Sequence, residues 1–120
     1  MPPSFNERRM YPRQKTFLIA KYSFDDGTGG IAWVKDISYG GACLFTNREI
    51  NVGSQIDLGI ILPTVNKRYS IKSRVVFSEN DTVRVEFTEA NISDLNRIFE
   101  FIQSVKSLRE SYNRKNLDEK

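Results

Sequence analysis

The chain has no histidine and a single cysteine, Cys43. Without histidine it lacks the side chain that most often acts as general base or metal ligand near neutral pH. Every Ser–His or Cys–His nucleophile pair is excluded as well. One cysteine excludes an internal disulfide and any multi-cysteine metal cluster. Set between Ala42 and Leu44-Phe45, Cys43 reads as a small buried apolar residue. No apolar run approaches the roughly 18 residues that a membrane-spanning helix needs. The opening stretch, Met1 to Glu7, lacks the continuous apolar segment of a secretion signal. A cytoplasmic protein without membrane contact is expected. There is no glycine-rich phosphate loop either, so an enzyme is not expected.

What is present fits one domain with one core: 120 residues, of which 39% are hydrophobic and 28% charged. The net charge of +3 is unevenly placed. Residues 7–15 hold Arg8, Arg9, Arg13 and Lys15 against Glu7 alone, whereas residues 16–105 hold nine basic and eleven acidic side chains. The positive charge therefore lies on the flanks of a mildly acidic middle. A general nucleic-acid binder would more often spread its cations and aromatic platforms over a strand face, so no DNA or RNA partner is expected.

Residues 1–15 contain three of the four prolines and no lasting periodicity, and read as a flexible basic arm. Residues 16–112 read as the folded domain and 113–120 as a polar tail. Strands are predicted at Thr16–Phe24, Ile31–Ile37, Ala42–Thr46, Gln55–Leu62, Arg68–Ser78 and Thr82–Phe87. In the last three, apolar residues alternate: Ile56, Leu58, Ile60, Leu62; then Tyr69, Ile71, Val75, Phe77; then Val83, Val85, Phe87. Period two of this kind marks half-buried antiparallel strands. Asp25 to Gly30 is a hairpin turn. Ile31, Trp33 and Ile37 share one parity, which assigns Trp33 to the core and turns Asp36 and Ser38 outward. From Asn91 or Ser93, either of which can cap a helix, the period changes. Ile92, Leu95, Ile98, Phe99, Ile102, Val105 and Leu108 form one helical stripe. The expectation is an all-β domain: a six-stranded antiparallel β-barrel with a C-terminal amphipathic α-helix. Closing the sheet removes exposed edges, and the helix stripe must bury itself on the barrel or on a second copy.

Two elements carry the functional signal. Arg9-Met10-Tyr11-Pro12-Arg13, preceded by Arg8, sets guanidinium groups in the arm. Each is a planar cation with paired N–H donors that can grip a phosphate or the O6/N7 edge of guanine and can stack on a purine. Asp36-Ile37-Ser38-Tyr39-Gly40-Gly41 sets a carboxylate and a hydroxyl two apart at a strand end, with glycine beyond. A carboxylate can accept both N1–H and the exocyclic amine of guanine, a pair that adenine lacks. The plainer reading of the second element is an Asp/Ser turn that satisfies its own backbone.

The order R-x-x-x-R, then D-x-S-x-x-G at a strand end, then a barrel with a trailing helix resembles the PilZ domain family. The likeness covers roughly residues 8–108. The resemblance implies binding of cyclic di-GMP with no chemistry performed on it and no cofactor. It implies ligand contacts from Arg8, Arg9, Arg13, Asp36, Ser38, Gly40 and Gly41, with Arg8 associated with a second, stacked ligand molecule. A conformational change would then signal through an unidentified protein partner or through a homodimer built on the C-terminal helix. The alternative is a nucleotide-independent PilZ-like adaptor in protein–protein interaction.

Overall fold

The computed structural model describes residues 12–63 and 65–118. Six strands follow in chain order: β1 (Gln14–Ser23), β2 (Gly29–Ile37), β3 (Gly41–Phe45), β4 (Gln55–Leu62), β5 (Lys67–Glu79) and β6 (Thr82–Glu89). A helix, α1 (Ile92–Asp118), follows β6. The strands close into an antiparallel barrel in the order β1-β2-β3-β6-β5-β4. Local hairpins join β1 to β2, β2 to β3, β4 to β5 and β5 to β6. Closure depends on two long-range pairings, β1 with β4 and β3 with β6.

The core fills the barrel. Leu18, Ala20 and Tyr22 point inward from β1, Ile56, Leu58, Ile60 and Leu62 from β4, and Tyr69, Ile71 and Val75 from β5. Ile50, from the β3–β4 connection, joins them. The alternation of β4 runs as its sequence predicts.

Two aromatic residues expected inside are outside. Trp33 is 47% exposed and Phe77 40%. In β2 the inward residues are Ala32, Val34 and Ile37, which do not share one parity. The switch falls at a register shift against β3 between Val34 and Asp36, where an extra residue turns the strand face over. Upstream, Ala20 and Ala32 are paired across β1 and β2, with Ile60 beside Ala20 on β4. Ala20 and Ala32 are buried there, while Tyr22 and Tyr69 supply the aromatic rings of the interior. A second shift, between Val75 and Phe77, turns Phe77 outward.

Asn91 begins α1: its Oδ1 accepts the amides of Ser93 at 2.8 Å and Asp94 at 3.3 Å. Leu95, Ile98 and Ile102 enter the barrel's core cluster, and Phe99 packs against it. The stripe continues past the barrel. Val105 and Leu108 are exposed, Leu108 at 71%. A helix of 27 residues is about 40 Å long, and only its first three turns have barrel beneath them.

Candidate functional site

The start of β1 lies against the end of β2, with Gln14 paired to Ile37 and Lys15 to Asp36. Arg13 immediately precedes this pairing, so its side chain enters beside the β2 exit. Its Nη1 donates to Asp36 Oδ1 at 3.1 Å. The two motifs thus meet across 23 residues of sequence. The Arg13 side chain is 55% exposed and the Asp36 side chain 26%. An ion pair this open contributes about 0–1 kcal/mol. It positions a guanidinium without locking it. Arg8 and Arg9 lie outside the described residues, as do Met10 and Tyr11.

Beyond Asp36 the chain makes a four-residue turn. Ser38 N–H donates to the Gly41 carbonyl at 2.8 Å, and Ser38 Oγ donates to the same carbonyl at 3.4 Å. The Ser38 hydroxyl also accepts the Gly40 N–H at 3.2 Å. Ser38 is buried, whereas Asp36 is half-buried. The shared outward face expected for the two side chains is therefore not what the turn builds. Asp36 faces the entry of the arm, and Ser38 shapes the loop from within. The Gly40 carbonyl accepts the amide of Phe87, which ties the turn to β6. Gly41 is held by a close backbone approach: a Cβ there would sit 2.2 Å from the Val85 carbonyl oxygen. Only glycine fits.

Tyr39, at the tip of the turn, links it to α1. Its ring stacks on Phe99 with centroids 4.5 Å apart, and its hydroxyl donates to Asn96 Oδ1 at 2.5 Å. The sequence does not announce that Tyr39, Asn96 and Phe99 meet. Phe99 was visible as a member of the helical stripe; the hydrogen bond spans 57 positions and leaves no local signal. On the far side of the turn, Gly41 pairs with Glu86, and Glu86 makes an ion pair with Arg74 of β5. No group of three or more potential metal ligands occurs among the described residues. No helix among them is long and apolar enough to cross a membrane.

The described residues thus form a small closed β-barrel with an arginine-bearing entry beside a serine–glycine turn. The sequence model described as the PilZ domain matches residues 7–104, and the chain belongs to that family. PilZ domains are generally non-catalytic binding modules. The match includes both motifs and stops just before Val105 and Leu108. No curated protein matches the chain. Among solved structures it is similar to the PilZ domain of CeSA from a cellulose-synthesizing bacterium, with TM-score 0.58 and 18% identity over 82% of this chain and 98% of that one. It is also similar to MrkH of K. pneumonia in its complex with c-di-GMP. There the TM-score is 0.67 and the identity 18%, over 86% of this chain and 53% of MrkH. The apo form of MrkH gives 0.64. At such identities the likeness is one of fold, and the chain spans about half the length of MrkH.

Proposed function

We propose that this chain is a cyclic di-GMP receptor that changes conformation on binding and passes the signal to a partner protein or to a second copy of itself. The observation that carries the proposal is the Arg13–Asp36 contact, which joins the two motifs at one corner of the barrel. Family membership supports it. So does the likeness to MrkH, a protein solved with that nucleotide.

In this reading Arg9 and Arg13 grip phosphate and guanine edges, and Asp36 accepts the N1–H and amine of a guanine. Ser38, Gly40 and Gly41 hold the turn so that its backbone lies close to the base. Arg8 serves a second ligand molecule. The Arg13–Asp36 pair loosens as the nucleotide takes over both partners. Such an exchange draws the arm onto the barrel because the ligand prefers the closed state. The turn that holds guanine is bonded to α1 through Tyr39. Displacement of the turn is thereby felt on the helix, whose exposed Val105 and Leu108 offer a surface for a protein partner or a homodimer.

Calorimetric titration with cyclic di-GMP tests this. Arg13→Ala should weaken binding by roughly 10- to 100-fold, the worth of a charge-assisted hydrogen bond. Arg9→Lys should lose nearly as much as Arg9→Ala, because lysine cannot make the two-pronged contact. Two nucleotides per chain would support the role of Arg8. Equal heats from wild type and Arg13→Ala would reject the site.

A second reading, a nucleotide-independent adaptor, draws on the Ser38 hydroxyl, whose bonds within its own turn supply a structural reason for the motif. A flat titration with a well-folded protein would favour it.

A further inference from the structure

The outer face of β1 and β2 is apolar where a barrel in water is usually polar. Ile19 pairs with Trp33, Trp33 with Phe45 and Ile19 with Ile61, so one row of large apolar residues crosses four strands. Phe17 and Ile31 extend the face along β1 and β2; they are 76% and 60% exposed. Contiguous exposed surface of this kind marks an interaction site. Its trace in the sequence is two short apolar runs, Phe17–Ala20 and Ile31–Val34, in which outward residues alternate with core residues.

The frame of this face is cationic. Lys21 follows Ile19 on β1 and pairs with Ile31, Lys35 follows Trp33 on β2, and Arg68 pairs with Ile61 on β5. Among the described residues, no ion pair engages any of the three. At the Lys21 margin lies a cavity of about 290 Å³ lined by Lys21, Arg68, Ser23, Ser70 and Asp57. Its floor is Gly59, over which the Arg68 stem lies so closely that a Cβ would come within 2.5 Å of Arg68 Cδ. Two cations and two hydroxyls there suit a phosphodiester, and Asp57 can accept from hydroxyl groups attached to it.

We propose that this face docks onto an anionic phospholipid surface. A headgroup phosphate sits between Lys21 and Arg68, and Phe17, Ile19, Ile31 and Trp33 enter the interfacial layer. Three features favour a lipid surface. Strands of a six-stranded barrel turn by roughly 60° from one to the next, so a row across four strands is strongly convex. A fluid bilayer can surround it, whereas a flat protein surface reaches only part. The side chains protrude, and the cavity beside them is polar, unlike the apolar pockets that anchor protein hot spots. A second copy seated face to face would set Lys21, Lys35 and Arg68 against their own kind. Indole and phenyl rings beside lysine and arginine are the usual composition of an interfacial anchor. The expectation of no membrane contact rested on the lack of a spanning segment, which peripheral docking does not need.

Trp33 is the sole tryptophan, so tryptophan emission, excited to the red of tyrosine absorption, reads this face alone. The full chain, without nucleotide, is mixed with unilamellar vesicles of phosphatidylcholine, or of phosphatidylcholine with phosphatidylglycerol. The expected result is a blue shift of Trp33 emission and co-sedimentation with the anionic vesicles only. Each cation at an anionic surface contributes roughly fivefold to partition, so Lys21→Ala with Arg68→Ala should lower it by more than about tenfold. Phe17→Ser with Ile31→Ser should abolish it, and Val52→Ser, at an exposed apolar residue of the β3–β4 connection, should leave it unchanged. Circular dichroism confirms that each variant is folded. No binding by the folded wild type overturns the proposal. So does equal binding to neutral vesicles, or binding that survives Phe17→Ser with Ile31→Ser. A Trp33 response to soluble glycerol phosphate or to a purified protein, with none to vesicles, overturns it in favour of a free-anion or protein site. Because nucleotide is absent throughout, the outcome is independent of the cyclic di-GMP reading.

Discussion

Arg13, Asp36 and Gly41 show three ways in which one residue sets a site. Arg13 brings a charge that its short-range neighbours do not use, and it finds Asp36 only because β1 starts where β2 ends. Asp36 was legible from its motif, and so was the glycine after it. The reason for the glycine was not: it lies in the β6 backbone, 44 residues downstream, with the Val85 carbonyl 2.2 Å from any Cβ placed at Gly41. Gly41→Ala must push β3 from β6 and should destabilise the protein by about 1–3 kcal/mol. Urea denaturation would show this as a lower midpoint with an unchanged slope. Ser38 differs again. Its motif was visible, but its burial follows from the turn that its own hydroxyl closes. Trp33 was misplaced because parity was carried through a bulge that no local residue announces.

At the scale of elements, α1 separates propensity from packing. Its apolar stripe is continuous in sequence, but the barrel covers only the portion from Leu95 to Ile102. Ile98 is fully buried, and Ile98→Ala should cost about 2–5 kcal/mol through lost burial and a cavity. Leu108→Ser, on the same stripe, should change the stability of the isolated chain by no more than about 0.5 kcal/mol. Chemical denaturation of both variants tests the division. The β1–β2 hairpin turn is held in another way. Asp26 Oδ1 accepts both the Thr28 amide at 2.9 Å and the Thr28 hydroxyl at 2.6 Å. These bonds, the hydroxyl first, hold the Asp26 carboxyl below its ordinary value of 3.8. Because the folded value is the lower one, the turn is favoured above the ordinary aspartate range. That contribution is lost as pH falls through the folded value. Thr28→Val removes the hydroxyl donor, and an NMR titration should then find the Asp26 midpoint moved back towards 3.8.

For the whole molecule, ligand binding and fold stability are linked. If cyclic di-GMP binds the folded chain alone, free ligand at about 100 times Kd should stabilise it by about 2.7 kcal/mol. In a domain of this size that raises Tm by on the order of 10 °C. Arg13→Ala should keep the Tm of the free protein and lose most of the shift at the same nucleotide concentration. Differential scanning fluorimetry separates the two effects. From its sequence alone the chain determined the number and order of its strands, the helix at its end and the two motifs. Each of these is written in side-chain period and chemistry within a few residues. The tertiary structure decided where the barrel closes, which aromatic rings it excludes and that Arg13 meets Asp36. Those outcomes depend on pairings between distant strands, where one extra residue in a ladder turns a face from core to surface.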